Sequence, residues 1–159
     1  MGNKGVIVDN HKVSDIFDIS FRYNTEKKFC DIIEENIESI ICLFEDDVKI
    51  ISLEREWHLY AHIRGRYKKG KPNLRADFKI ETENNKYLIE AKNPKHKYSE
   101  LRNAVSQCMD YKLRYPDYVV ILLTSTYDNI VTRMILEYNL DIKYVLSSND
   151  NIALMKGRL

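Results

Sequence analysis

The stretch ADFKIETENNKYLIEAK, residues 76–92, decides the fold because it reads as two short strands joined by a tight turn. Apolar and polar residues alternate in both halves, and the pair Asn84-Asn85 between them is typical of a hairpin turn. When the strands are paired about those two asparagines, Lys79 is predicted to face Glu90, and Asp77 to face Lys92. The stretch therefore predicts a hairpin with one apolar and one charged face.

The charged face carries a set of side chains suited to phosphate chemistry. Asp77, Glu90 and Lys92 lie on it, while the apolar face predicts five core residues, which are Phe78, Ile80, Tyr87, Ile89 and Ala91. Opposed side chains of a hairpin lie about 5 Å apart and diagonal ones about 7–8 Å, so Asp77 and Glu90 can reach one cation together. Two carboxylates are a usual protein contribution to a Mg²⁺ site, and a lysine beside them can orient water or stabilise charge on a phosphate. The alternative is a solvated hairpin face with a cross-strand ion pair, and the three residues alone do not decide between the two.

The flanking segments predict an α/β protein. Residues 24–44 predict one long helix capped by Asn24 or Thr25, and residues 98–115 a second helix capped by Ser99. Strands are predicted at 48–52, 56–64, 118–125 and 142–148, with a third helix at 127–139. This order predicts a mixed central β-sheet flanked by helices, with an N-terminal arm at 1–23 and a single domain at 24–159.

Composition limits the classes of function. The chain has 159 residues and a net charge of +1, so any nucleic-acid contact must come from local basic patches. Its three cysteines form no C-x-x-C pair, and no Walker, Rossmann or G-x-S-x-G pattern occurs. No apolar run has the length of a membrane span or of a secretory signal, which predicts no membrane partner and a cytoplasmic location, or the host cytoplasm if the chain is viral.

Three segments together resemble the PD-(D/E)xK nuclease superfamily. NLRADFKI followed by KYLIEAKNP resembles its central hairpin, with Asp77 as the aspartate, Glu90-Ala91-Lys92 as the E-x-K element, and Arg75-Ala76 where a proline often stands. QCMDY, residues 107–111, resembles the Q-x-x-x-Y motif of the branch that includes recombination and CRISPR-adaptation exonucleases. The family also has a helix before the hairpin that often supplies a glutamate, for which Glu26 is the candidate and Glu34 and Glu35 are competitors.

The resemblance implies a restriction-endonuclease-like fold and a Mg²⁺- or Mn²⁺-dependent deoxyribonuclease. It implies that Asp77, Glu90 and the Ala91 carbonyl bind the metal, with Glu26 joining through water. Lys92 would activate or position the attacking water, and Gln107 and Tyr111 would support the substrate phosphate, which completes the implied catalytic set. Several members of the branch hold an iron–sulfur cluster on four cysteines, and this chain lacks them, so no cluster is implied.

The expected partner is DNA. Basic side chains flank the hairpin on both sides and are predicted to contact the phosphate backbone, namely Arg66, Lys68, Lys69, Lys71, Arg75, Lys95 and Lys97. A solvated basic loop is the alternative reading of the same residues. A homodimer is also expected, because small nucleases often use two sites to cut two strands. The alternative function is a non-catalytic module that binds nucleic acid or protein on the same fold.

Overall fold

The computed structural model describes residues 6–9, 23–58, 75–95, 97–148 and 151–156. In this part of the chain seven strands and four helices follow one another. They are β1 (Val6–Asp9), α1 (Glu26–Glu35), α2 (Ile37–Ile41), β2 (Ile50–His58), β3 (Arg75–Thr82), β4 (Lys86–Lys92), α3 (Lys97–Arg114), β5 (Val119–Thr124), α4 (Asn129–Glu137), β6 (Lys143–Ser148) and β7 (Asn151–Lys156). No described helix has the length and hydropathy needed to cross a membrane.

The strands form one mixed sheet, so the predicted α/β class is confirmed. The strand order is β1-β7-β6-β5-β4-β3-β2. Six of the strands, β2 to β7, belong to the predicted domain, and β1 is a seventh strand from the predicted N-terminal arm. β2, β3 and β4 form an antiparallel meander, whereas β4, β5 and β6 are parallel to one another. β4 thus lies inside the sheet, and Glu90, 3% exposed, does not lie on a solvated hairpin face as the alternative predicted, whereas Lys92 is partly exposed.

Each face of the sheet packs against helices. Beneath α1 and α2 lies the predicted apolar face of the hairpin, and all five of its residues are buried there, as the alternation predicted: Phe78, Ile80, Tyr87, Ile89 and Ala91. α3 and α4 cover the opposite face, where they bury Leu88, Leu122 and Tyr144. The face that bears Glu90 is therefore also covered, by α3.

The helix predicted over 24–44 is two helices. α1 begins after Thr25, whose side chain accepts a hydrogen bond from the Lys28 N–H, and it ends at Glu35. At Asn36 the side-chain amide donates to the Ile32 carbonyl at 2.8 Å, and such side-chain bonds to the backbone compete with helix continuation. The break redirects α2 so that Ile37, Ile40 and Ile41 remain buried.

The register of the hairpin differs from the predicted one by two residues. Phe78 pairs with Ile89 and Ile80 with Tyr87, so Lys79 faces Leu88 rather than Glu90. The turn is centred on Glu83-Asn84 because Thr82 closes it: its N–H donates to the Asn85 carbonyl at 2.9 Å and its hydroxyl accepts from the Asn85 N–H at 3.0 Å. A shift of two residues keeps every side chain on its face, so the division into an apolar and a polar face survives.

Three further differences concern the ends of elements. α3 begins at Lys97, so Ser99 lies in its first turn rather than at its cap. The segments predicted as strands at 48–52 and 56–64 contribute to a single β2, and residues 59–74 lie outside the described part of the chain. β7 was not predicted; it returns antiparallel to β6 and completes the sheet toward β1.

Candidate active site

The candidate site lies where β3 and β4 separate. The backbone pairing of β3 with β4 ends at Phe78 and Ile89. Beyond it, the carboxylate of Asp77 bonds the facing strand instead, with Oδ2 accepting from the Ala91 N–H at 2.8 Å. Two residues before Asp77 on β3, the Arg75 carbonyl accepts from the Tyr111 hydroxyl at 2.8 Å. The groups that replace the ladder therefore belong to the predicted site, and they bring β3, β4 and α3 together.

Glu90 is a buried carboxyl, 3% exposed, that shares one hydroxyl with a backbone group. Tyr111 Oη lies 2.6 Å from Glu90 Oε2 while it also contacts the Arg75 carbonyl. Tyr111 is the donor in both contacts, and because its hydroxyl has one proton, the Glu90 carboxyl and the Arg75 carbonyl share it. Burial, followed by the charge of Asp77, raises the pKa of Glu90 to about 8 against the opposing effects of Tyr111 and Lys92.

Asp77 shares this electrostatic environment. Burial raises the pKa of Asp77, and the Ala91 N–H and Lys92 lower it. Lys92 Nζ lies 3.9 Å from Glu90 Oε1, and its side chain is 23% exposed. The buried Glu90 and the half-buried Asp77, both with raised pKa values, and one lysine leave a deficit of positive charge, which a divalent cation would fill.

Glu26, at the first position of α1, borders the site. It lines a pocket of ≈420 Å³ together with Lys92 and five further residues, which are Asn24, Thr25, Asn93, Lys95 and Glu100. The charge of Glu26 also raises the pKa values of both Asp77 and Glu90, which places it near them. Glu34 instead lies 3.7 Å from Arg55, so of the predicted helix glutamates Glu26 is the one the fold brings to the hairpin.

The donor set fits a hard divalent cation with few protein ligands. Within the described residues, Asp77 Oδ1 and Glu90 Oε1 make no hydrogen bond, so each carboxylate has one tethered and one available oxygen. No three His, Cys, Asp or Glu side chains of the described chain converge as a metal site. Two carboxylates with water in the remaining positions are a usual protein contribution to a Mg²⁺ site, and Glu26 would then act through water.

The two predicted residues of α3 occupy different environments. Tyr111 is fully buried and contacts Glu90 directly. Gln107, one helical turn earlier, is partly buried, and within the described residues its Oε1 is buried without a hydrogen-bond partner. Buried oxygens without a donor are rare in native proteins, so the unpaired Oε1 of Gln107 indicates an acceptor that a water or a ligand could use.

The predicted basic residues are only partly placed. Arg75 is exposed and lies 3.6 Å from Glu56, and Lys95 lines the pocket. Lys97 begins α3, and its side chain is outside the described part. The loop residues Arg66, Lys68, Lys69 and Lys71 also lie outside it.

Sequence reasoning missed Asn93, which follows Lys92 directly and is 4% exposed. Its Oδ1 accepts from the Tyr23 N–H at 2.9 Å and from the Ser125 hydroxyl at 2.6 Å, and its Nδ2 donates to the Tyr23 carbonyl at 2.6 Å. Its partners are 70 and 32 residues away, so no local pattern signals this role.

Scans against protein-family models, curated proteins and solved structures gave no match for this chain. The case for a function therefore rests on the site itself.

Proposed function

We propose that this protein is a Mg²⁺- or Mn²⁺-dependent nuclease of the PD-(D/E)xK type that hydrolyses phosphodiester bonds in DNA. The observation that carries the proposal is the burial of Glu90 beside Asp77 and Lys92 inside the sheet. Burying two carboxyls side by side is unfavourable, and it is typical of sites that bind a cation or transfer protons.

The metal would be held by Asp77, Glu90 and the Ala91 carbonyl, with Glu26 reaching it through water. When bound, it would polarise the phosphoryl group and lower the pKa of a coordinated water. Lys92, 3.9 Å from Glu90 Oε1, is close enough to orient that water or to stabilise negative charge on the phosphate. Asp77 is held in place by the Ala91 N–H, and Glu90 by Tyr111, so neither needs to reorganise for binding.

The substrate end of the site is assigned to Gln107 and the basic side chains. Gln107 Oε1 is an acceptor without a partner in the described chain, so the amide is free to orient a water beside the phosphate. Lys95, exposed at the pocket, suits a phosphate of the backbone. Cleavage would be direct in-line hydrolysis, since no nucleophilic side chain is assigned to the site.

The arrangement of elements supports a restriction-endonuclease-like fold. A helix precedes an antiparallel meander of three strands, and then a helix leads to a strand parallel to the last of the three. The resemblance implies this order, with the metal residues on the second and third strands, which here are β3 and β4.

Cleavage of end-labelled linear DNA and of closed circular DNA, with Mg²⁺, Mn²⁺ or EDTA, tests the proposal. We expect cutting that requires the metal and that falls by about 10²–10⁴-fold in Lys92→Ala, the range for loss of a proton-transfer group. The circular substrate separates an endonuclease from an exonuclease.

Lys79→Ala is the matched control. Lys79 is also a half-buried hairpin lysine, 19% exposed, but its ion pairs are with Glu54 and Glu81, away from the site. Its loss should leave cleavage unchanged. Wild-type protein that binds DNA but cuts no substrate with either metal, with binding unchanged in Lys92→Ala, would contradict the nuclease and favour a non-catalytic binding module.

A further inference from the structure

The start of α1 is tied to the end of β4 by a single side chain. The amide of Asn93 pairs with both backbone groups of Tyr23, accepting from the N–H at 2.9 Å and donating to the carbonyl at 2.6 Å. It thus acts as one rung of a β-ladder between two segments that are 70 residues apart.

Ser125 adds a third bond to that amide. Its hydroxyl donates to Asn93 Oδ1 at 2.6 Å, and its backbone N–H donates to the Lys92 carbonyl at 3.1 Å. The two Tyr23 bonds fix the orientation of the amide, since a flipped amide would place Nδ2 against the Tyr23 N–H, donor to donor. The end of β5 therefore holds Lys92 and Asn93 together.

Glu26 follows Tyr23 by three residues, at the start of α1. Its side chain is exposed at the pocket, whereas the backbone before it is fixed by Asn93 and by the Thr25 cap. The stacked rings of Tyr23 and Phe29, 5.2 Å apart, anchor the same turn to the core. Asn93 is therefore one of the contacts that hold the start of α1, and with it Glu26, relative to the end of β4.

We infer that Asn93 is a positioning residue for metal binding, which holds Glu26 at the distance where it completes the cation site through water. The inference rests on the proposed metal-dependent function and adds to it a residue to which the resemblance assigns no role. Asn93 neither touches the metal nor the substrate; it acts through Glu26. The effect of substituting Asn93 on metal affinity should consequently disappear in a variant whose residue 26 lacks the carboxylate.

Calorimetric titration with Mn²⁺ at pH 8 tests this in a double-mutant cycle of Asn93→Ala, Glu26→Gln and the two combined. Outer contacts of metal sites are worth about 10–100-fold in affinity, so each single variant should bind Mn²⁺ about tenfold more weakly. The double variant should bind no more weakly than Glu26→Gln, within about twofold.

Two further variants separate positioning from folding. Arg55→Gln removes the bond to Asp31, 2.8 Å, which holds α1 from its other side, and it should lower thermal stability without changing Mn²⁺ affinity. Ser125→Ala removes one of the three bonds to Asn93 and should weaken Mn²⁺ binding less than Asn93→Ala does; it also serves if Asn93→Ala does not fold.

Losses that multiply in the double variant, or unchanged affinity in Asn93→Ala, would overturn the inference and leave the metal site standing. A wild-type chain that binds no Mn²⁺ would overturn the proposed function, and the positioning role with it.

Discussion

The two ends of the β3–β4 hairpin each hold a glutamate against a tyrosine hydroxyl, and they differ in what else surrounds the carboxyl. At the turn, Glu45 Oε1 lies 2.7 Å from Tyr87 Oη and 2.7 Å from Thr82 Oγ1, with the Asn85 amide at 3.4 Å. At the open end, Glu90 Oε2 lies 2.6 Å from Tyr111 Oη, and the nearest lysine is 3.9 Å away.

The pKa values of the two glutamates shift in opposite directions. Burial favours the neutral form of Glu45, but hydrogen bonds from Tyr87, Thr82 and asparagine outweigh it and hold the pKa below its usual value. Burial and the Asp77 carboxylate raise the pKa of Glu90 to about 8. Hydrogen-bond donors stabilise the charge of Glu45, which is typical of a structural carboxylate. The charge of Glu90 lies beside a second carboxyl and is destabilised, so a bound cation would stabilise it.

Removing each charge in turn gives the largest expected contrast. Glu90→Gln should lower Mn²⁺ affinity by more than about 100-fold, since a direct ligand is worth at least as much as the outer contacts of a site. Without metal its stability should match or exceed that of the wild type, because the variant no longer buries one carboxyl against another. Titration calorimetry and urea unfolding in EDTA measure the two quantities.

Glu45→Gln should do the reverse. It keeps the shape of the side chain but replaces a charged acceptor of three donors, which should lower stability by about 1 kcal/mol, or roughly 2–4 °C in Tm, and leave Mn²⁺ affinity unchanged. Equal losses of affinity in the two variants would mean that the turn end contributes to metal binding, and the contrast between the ends would be lost.

The pH dependence of stability sharpens the same contrast. The pKa of Glu90 is about 8 in the folded chain, against an ordinary value of 4.5. Its proton is therefore held more tightly in the folded state, and the resulting stability is complete below about pH 4.5 and lost as the pH rises through 8. In EDTA, the free energy of unfolding should fall between pH 5 and 8.5 by an amount on the order of 3 kcal/mol.

Glu90→Gln is the control for this loss, and urea unfolding at intervals of half a pH unit measures it. The variant should keep only the smaller fall that Asp77 contributes, since the pKa of Asp77 is raised too. The pKa of Glu45 is lowered in the folded chain, so its charge stabilises the fold at pH values above the ordinary pKa of 4.5, and this stability is lost only at lower pH. Glu45→Gln should therefore retain the full slope between pH 5 and 8.5. Identical slopes in wild type and Glu90→Gln would exclude the raised pKa.

These two ends also show what the sequence could predict. Alternation placed Phe78, Ile80, Tyr87, Ile89 and Ala91 on one apolar face, and this held although the centre of the turn lies one residue earlier than predicted, because a two-residue shift in register preserves the faces. Glu90 and Lys92 belong to the other, polar face of β4. The burial of that face beneath α3 was not predictable from alternation, since a polar face covered by a helix reads like a solvated one. Glu26 could be proposed from the sequence but not chosen over Glu34, because helix phase is set by packing.

Other features depend on particular side-chain contacts, one of them local and two between distant segments. The break at Asn36 follows from a side-chain bond to Ile32 that competes with an otherwise continuous helical pattern. Asn93 follows from partners on β5 and before α1, and the Glu45 network joins the loop after α2 to the hairpin turn across about forty residues. Such contacts exist only in the folded chain, so periodicity and motifs do not report them.

The last contrast concerns the two tyrosine hydroxyls and the pH at which the metal binds. Tyr87→Phe and Tyr111→Phe each remove one hydroxyl from a buried ring, and each should cost about 1–3 kcal/mol, because an acceptor loses its donor. Only Tyr111→Phe also frees Glu90 and the Arg75 carbonyl from their shared proton. It should therefore change the pH at which half of the Mn²⁺ affinity is gained, whereas Tyr87→Phe should leave that midpoint in place.

The direction of that change separates two states of the site. If Glu90 donates to Tyr111 before metal binds, the phenylalanine variant loses a partner of the neutral carboxyl, and the midpoint moves to lower pH. If Tyr111 donates to a charged Glu90, the variant loses a partner of the anion, and the midpoint moves to higher pH. Tyr111 donates to Glu90 Oε2 at 2.6 Å and lowers the pKa of that carboxyl, so a shift to higher pH is the expected result.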